Sequence, residues 1–142
     1  ALLRELLANT NTTLEQLDEW STSSPYGAVN LYRGGAGRAC ANSGLTADLV
    51  AQASQQGWKF IPTWVGPQSS CRSGDCDRIS LDPAAAYDQG MAEASAAITT
   101  AVELGLALPD GSGTVIYYDL EPYTTGITTC LEAAKAFISG SF

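Results

Sequence analysis

Apolar and polar positions along the chain follow two different periodicities, and each predicts one kind of element. Short apolar runs that end at glycine or turn residues predict three strands, over residues 28–32, 58–65 and 114–120. Apolar residues spaced three and four positions apart predict four helices, over residues 11–20, 44–57, 81–105 and 130–139. Helices and strands therefore alternate along most of the chain.

Two of the predicted helices begin with a capping box, in which side chains satisfy free backbone N–H groups. Thr13 pairs with Gln16 at the first helix, and Thr129 pairs with Glu132 at the last. Helices of ten or more residues between strands favour parallel βαβ units, so the predicted fold class is α/β. In such folds the carboxyl ends of the strands lie on one face, where binding and catalytic sites form.

The first eleven residues depart from this alternation. Four leucines within residues 1–11 lie at helical spacing, so this segment is predicted to be a helix or a poorly ordered lead-in. The domain is accordingly placed at residues 12–142, a length that suits a single domain.

The composition is acidic and lacks histidine. Fifteen acidic residues against seven basic ones give a formal net charge of -8, which argues against nucleic acid and anionic membrane surfaces as partners. No apolar run approaches the length of a membrane span. The lack of histidine excludes Ser-His-Asp catalysis and the commonest metal ligand, so carboxylates must carry any acid–base chemistry. No metal and no cofactor are predicted.

The cysteines allow more than one pairing. Cys71 and Cys76 flank the short polar loop RSGD, which fits either a zinc site or a disulfide across the loop. Without histidine or paired C-x-x-C motifs, the Cys71–Cys76 disulfide is favoured. A Cys40–Cys130 bridge is a further option that the spacing leaves open. A bridged loop implies an oxidising setting, so the protein is predicted to be secreted or extracellular.

The third predicted strand ends in two acids, Asp119 and Glu121, within the sequence VIYYDLEPY. Residues i and i+2 of a strand point to the same face, so the two carboxylates should lie side by side and one should have a raised pKa. A carboxyl group that keeps its proton can donate it to a leaving oxygen while an ionised neighbour stabilises positive charge, as in glycoside cleavage. The simpler interpretation is that both acids face water.

Aromatic residues lie at or near the predicted strand ends, namely Tyr32, Trp64 and Tyr123. Aromatic rings stack on sugars, so these residues fit glycan binding, although packing in the core is the commoner role of each. Arg33 stands at a strand exit, where it would either pair with an acid across the face or be solvated. All four residues are included in the predicted substrate-binding set.

Four segments together resemble one family in order and spacing: SPYGAVNLYRGG, LTADLVAQASQQGWKFIPTWVGPQSSC, DPAAAYDQGMAEASAAITTAVELGL and VIYYDLEPY. The family is the glycoside-hydrolase-like β/α-barrel family of secreted bacterial proteins. It was formerly classed as a domain of unknown function and is distantly similar to barrel muramidases. The resemblance covers residues 12–142 and implies an eight-stranded TIM-type barrel with its site at the carboxyl ends of the strands.

The resemblance also implies roles for individual residues. Asp119 and Glu121 match the acidic pair of the family, with Glu121 as the proton donor and Asp119 as its electrostatic partner. Tyr117 and Tyr123 match positions that flank this motif, and Gln68 matches a polar position in the loop after the preceding strand. These three residues are expected to contact the substrate.

Two departures from the family affect the expected fold and activity. The family opens with a strand whose aspartate points into the site, and residues 1–11 contain no aspartate. A TIM barrel needs about 250 residues, so this chain is expected to form roughly the N-terminal half of a barrel, whose open edges a homodimer could cover. The predicted function is a glycoside-hydrolase-like domain that acts on or binds a cell-wall or extracellular polysaccharide. The alternatives are a non-catalytic glycan-binding relic and an inactive truncated fragment.

Overall fold

The computed structural model describes residues 4–8, 12–37 and 44–142, with only the backbone described for residues 4–8. Within these residues, four strands alternate with four helices. The strands are β1 (Arg4–Ala8), β2 (Tyr26–Gly34), β3 (Lys59–Trp64) and β4 (Tyr117–Tyr118). The helices are α1 (Leu14–Ser23), α2 (Ala47–Gln55), α3 (Pro83–Glu103) and α4 (Thr128–Gly140).

The strands form one parallel sheet in the order β1-β2-β3-β4, which confirms the α/β class and the alternation of parallel strands with helices. Because all the strands run in the same direction, their carboxyl ends lie at one edge of the sheet. In the described part of the chain the sheet is open at β1 and β4, so the predicted partial barrel stays a prediction.

Strand β1 lies where a helix or a lead-in was predicted, so the helical alternative is wrong for its residues. Its backbone pairs in parallel with β2, with Glu5 beside Ala28 and Ala8 beside Leu31. Leucine spacing is a local signal, and pairing with a neighbouring strand overrides such local preferences. Residues 1–3 and 9–11, which complete the predicted segment, lie outside the described residues.

Strand β4 is shorter than the strand predicted over residues 114–120. It covers Tyr117–Tyr118, and the N–H of Asp119 extends the pairing by donating to the carbonyl oxygen of Trp64 at 2.9 Å. β4 is an edge strand in the described sheet, so the residues before it have no second neighbour to hold them extended. Val115 is accordingly 66% exposed.

The two predicted capping boxes have different outcomes. At α1 the box is confirmed, because Thr13 accepts from the N–H of Gln16 and the Gln16 side chain accepts from the N–H of Thr13. At α4 the prediction is wrong, since the helix begins after Ile127, which provides no side-chain cap. Glu132 instead forms an ion pair with Lys135 at 2.9 Å.

Two apolar clusters lie on the helix-covered face of the sheet. The first packs beneath α1 and α2 and contains Leu17, Val29, Leu31, Val50, Ala53 and Trp58. The second joins α3 to α4 and contains Ile79, Ala86, Ala133 and Phe137. Gly90 and Gly140 allow these two helices to approach closely, because a Cβ at either position would overlap a backbone carbonyl of the other helix. None of the described helices is long and apolar enough to cross a membrane.

A disulfide joins Cys71, in the loop between β3 and α3, to Cys130 in the first turn of α4. The predicted Cys71–Cys76 pairing is therefore wrong, and the thiol of Cys76 is free among the described residues. The packing of α4 brings the Cα of Cys130 within 6.0 Å of that of Cys71, a usual separation for a disulfide. The Cys40–Cys130 option is wrong as well, because Cys130 is bridged to Cys71; Cys40 itself lies outside the described residues.

Candidate functional site

A cavity of about 370 Å³ lies at the carboxyl ends of β2, β3 and β4, on the face of the sheet opposite the apolar clusters. We call it the sheet-end cavity. Most of its lining residues come from alternate positions of the three strands, because such positions share a face. The lining residues are Asn30, Tyr32, Ile61, Thr63, Tyr117, Tyr118 and Asp119.

The floor of the sheet-end cavity is polar. The Thr63 hydroxyl donates to Oδ1 of Asn30 at 2.7 Å, and both side chains are buried. Parallel pairing places Tyr32 beside Thr63, and Thr63 beside Tyr117, so two tyrosines flank the buried threonine. Hydroxyl, amide and aromatic groups in one cavity are the chemical groups that recognise sugars.

Asp119 is the carboxylate that lines the sheet-end cavity, and it interacts electrostatically with Glu121. Burial raises the pKa of Asp119 above its ordinary value, and the negative charge of Glu121 raises it further. The guanidinium of Arg72 acts in the opposite direction and lowers it. The shift has the predicted direction and falls on Asp119, with burial as a larger cause than the charge of Glu121.

The side chain of Gln68 holds the backbone of both acids. Its Nε2 donates to the carbonyl oxygen of Asp119 at 2.9 Å and to that of Gly66 at 3.1 Å. Its Oε1 accepts from the N–H of Glu121 at 2.8 Å. Gln68 is 2% exposed, and its amide bonds to backbone instead of facing a ligand. The structure therefore gives Gln68 a positioning role in place of the predicted substrate contact.

The loop that carries Gln68 is itself held by Arg78. The Arg78 guanidinium donates to the carbonyl oxygens of Ser69, Arg72 and Gly74. The backbone of the loop also closes on itself, with the N–H of Ile79 donating to the carbonyl of Gln68 at 2.8 Å. Sequence reasoning did not identify Arg78, and the one available signal was a basic residue close to a glycine-containing loop.

Arg33 and Trp64 lie on the helix-covered face and do not line the sheet-end cavity, so their predicted role in substrate binding is not supported. Each is one residue away from a cavity residue and therefore points to the opposite face. The Arg33 guanidinium lies 5.6 Å from the Trp64 ring centroid and donates to the carbonyl of Ala97. Burial lowers the pKa of Arg33 to about 10. Trp64 is 7% exposed, and its indole N–H donates to Glu93 at 2.5 Å.

Two of the three predicted tyrosines, Tyr32 and Tyr117, line the sheet-end cavity. Tyr117 is 55% exposed and lines the sheet-end cavity, whereas Tyr123 is half-buried and is not among its lining residues. Tyr118 packs edge-to-face on Phe137 with centroids 5.2 Å apart, and its hydroxyl donates to the carbonyl of Pro67 at 2.7 Å. Of the predicted site residues, the cavity therefore brings together Tyr32, Tyr117 and Asp119. Sequence reasoning missed Asn30 and Thr63, although strand alternation from Tyr32 could have identified Asn30.

The model of one protein family, the Rv2525c-like, glycoside hydrolase-like domain, matches residues 18–140. This match confirms the resemblance that the four sequence segments indicate. No curated protein and no solved structure matches the chain.

Proposed function

This chain belongs to the Rv2525c-like, glycoside hydrolase-like domain family, and from that premise we propose that it binds a cell-wall or extracellular polysaccharide in the sheet-end cavity and cleaves it. The observation that carries this proposal is the position of Asp119, a carboxyl group with a raised pKa, in a cavity shared with three tyrosines. The Cys71–Cys130 disulfide supports an extracellular setting, because disulfides persist in oxidising compartments.

Asp119 is the better proton donor of the acidic pair. A general acid must keep its proton near the working pH, and burial together with Glu121 shifts the pKa of Asp119 in that direction. Glu121 then supplies the negative charge that stabilises the positive charge developing on the sugar ring. This assignment exchanges the roles that the family resemblance implies for the two residues.

The remaining cavity groups would orient the glycan. The exposed ring of Tyr117 offers a face on which a sugar ring can stack. Gln68 fixes the backbone on both sides of Leu120, so the segment that carries the two carboxyl groups keeps its position when glycan binds. Such positioning is effective in catalysis because the cost of ordering the reacting groups is met before the reaction.

The test compares the wild-type chain with Asp119→Asn on cell-wall and chitin-type polysaccharides. We expect the variant to bind glycan and to release product roughly 10²–10⁴-fold more slowly, the usual contribution of a general acid. Asp88→Asn, at an exposed acid on α3, is the matched control and should cleave normally. Equal turnover by wild type and Asp119→Asn would refute the catalytic assignment.

A non-catalytic glycan-binding module is the second candidate. One observation favours it: a single carboxylate, Asp119, belongs to the described lining of the sheet-end cavity, whereas glycosidases generally place two across the scissile bond. Saturable binding that depends on Tyr117, with no product released by the wild-type chain, would select this candidate over hydrolysis.

The open sheet supports the predicted homodimer as a separate proposal. β1 and β4 are the edges of the described sheet, and an unpaired edge presents backbone groups that can pair with another chain. Light scattering at several protein concentrations tests this, and a monomer at all concentrations would refute it.

A further inference from the structure

Thr63 and Asn30 form a buried polar pair at the floor of the sheet-end cavity. Thr63 is 5% exposed and Asn30 is 8% exposed, yet both residues line the cavity. Burying a polar side chain costs free energy unless it is hydrogen-bonded, and here the Thr63 hydroxyl donates to Oδ1 of Asn30 at 2.7 Å. Ile61 lies two residues earlier on the same face of β3, so the lining changes there from apolar to polar towards the carboxyl end of the strand.

The direction of this hydrogen bond determines what Thr63 offers to a ligand. A hydroxyl has one proton and two acceptor lone pairs, whereas an amide oxygen can only accept. The proton of Thr63 is therefore committed to Asn30. Oγ1 of Thr63 accepts no hydrogen bond from any residue in the part of the chain that the structure describes. Towards the cavity, Thr63 consequently presents an acceptor and no donor.

The position of Thr63 brings this acceptor next to the groups that are proposed to act on the glycan. In the parallel sheet, Thr63 lies beside Tyr32 on one side and beside Tyr117 on the other. Neighbouring strands are about 4.8 Å apart, so a sugar ring stacked on Tyr117 extends over the Thr63 hydroxyl. Asp119 lines the same cavity two residues beyond Tyr117. Thr63 is thus placed to contact the sugar ring that the proposed function assigns to Tyr117 and Asp119.

We infer that Thr63 is a specificity-determining residue, which accepts a hydrogen bond from a free hydroxyl of the glycan. This inference rests on the proposed function and defines the group that the ligand must carry at the cavity floor. A sugar in which that hydroxyl is absent or substituted leaves the buried oxygen of Thr63 without a donor, and an unsatisfied buried acceptor weakens binding. The ligand class is therefore a glycan that is unsubstituted at this hydroxyl.

The first experiment varies the ligand and uses the wild-type chain. The probes are chitotriose, cellotriose and xylotriose and, for each one that binds, its monodeoxy and monodeoxyfluoro derivatives. We expect removal of at least one hydroxyl to weaken binding roughly tenfold or more. The deoxyfluoro derivative at that position should bind no better than the deoxy derivative, because fluorine has no proton to donate. If every deoxyfluoro derivative binds as tightly as its parent sugar, the inference is refuted.

Variants assign the required hydroxyl to Thr63. Thr63→Val keeps the shape of the side chain and removes its oxygen, so the parent sugar and the deoxy derivative should bind this variant equally. Thr63→Ser keeps the hydroxyl and should keep the preference. Ile61→Val, on the same face of β3, is the matched control and should also keep it. Thermal unfolding checks the fold of each variant, and Thr63→Ala makes the same comparison if Thr63→Val is unfolded.

Failure of this inference can be separated from failure of the proposed function. A purely structural role of Thr63 would weaken binding of the parent sugar and its derivatives by the same factor, so an unchanged preference in folded Thr63→Val refutes the inference. Loss of all binding in Tyr117→Ala would still support the cavity as the glycan site. A wild-type chain that binds none of the three trisaccharides also refutes the inference, and polysaccharide binding and cleavage then decide the proposed function separately.

Discussion

The helix-covered face and the cavity face of the sheet are built from alternate residues of the same strands, and these residues have different roles. On β2, Val29 and Leu31 are at most 3% exposed beneath the helices, whereas Asn30 between them lies at the sheet-end cavity. On β4, Tyr118 packs towards α4 and the adjacent Tyr117 is 55% exposed. One step along a strand therefore separates residues that stabilise the fold from residues available to a ligand.

The largest expected contrast between the two faces is in stability. Phe137→Ala removes a ring that is 1% exposed in the α3–α4 cluster, and we expect the free energy of unfolding to fall by about 3–5 kcal/mol. Tyr117→Ala, on the cavity face, should change it by less than about 1 kcal/mol because its ring is largely in water. Urea unfolding of both variants measures the difference. Equal losses would show that the cavity face also stabilises the fold.

The disulfide connects the loop of the candidate site to the helix-covered face. Cys130→Ser should lower the free energy of unfolding by about 2–4 kcal/mol, because the bridge closes a long segment of the unfolded chain. Cys76→Ser is the matched control, since the Cys76 thiol is free among the described residues. Denaturant unfolding without reductant gives both values. An effect of Cys76→Ser as large as that of Cys130→Ser would contradict the observed pairing.

Gln68 lies in the loop between β3 and α3, outside both faces of the sheet. Replacing its side chain should lower both the stability of the fold and the affinity for glycan. Gln68→Leu leaves the N–H of Glu121 and the carbonyl of Asp119 without their side-chain partner, so we expect a loss of about 1–3 kcal/mol in stability. Glycan affinity should fall as well, because the backbone that carries both acids is no longer held. Calorimetric titration and urea unfolding measure the two effects. Unchanged affinity in the folded variant would limit Gln68 to a structural role.

The smallest expected effect is a pH dependence on the cavity face. Burial and Glu121 raise the pKa of Asp119, so the folded protein binds its proton more tightly than the unfolded chain does. This contribution is complete below the ordinary pKa of 3.8 and is lost as pH rises through the raised pKa of the folded state. The unfolding free energy of the wild-type chain minus that of Asp119→Asn should therefore decline over that range. If this signed value rose with pH instead, the direction of the shift would be contradicted.

Most of the fold could be predicted from local patterns, and the exceptions depended on partners distant in sequence. Three strands and four helices were identified because their apolar periodicity is strong. Strand β1 was missed because its identity depends on pairing with β2. The Cys71–Cys130 bridge was missed for a similar reason, since 59 residues separate the two cysteines and only helix packing brings them together.

Strand alternation selected a residue that lines the sheet-end cavity, whereas proximity to a strand end alone selected residues on both faces of the sheet. Asp119 was chosen with Glu121 through their two-residue spacing, and Asp119 lines the cavity. Arg33 and Trp64 were chosen because they stand near strand ends, without regard to which face they occupy. The backbone contacts of Gln68 require the loop and β4 to meet, so no local pattern could indicate them.

The most direct test of the account compares two exposed tyrosines in one binding experiment. Glycan that binds the wild-type chain is titrated into Tyr117→Ala and into Tyr87→Ala, a tyrosine on α3 that is 43% exposed and does not line the sheet-end cavity. We predict that Tyr117→Ala loses binding, whereas Tyr87→Ala binds normally, with the fold of each variant checked by circular dichroism. Wild-type affinity in Tyr117→Ala would contradict the proposal that the sheet-end cavity is the glycan site.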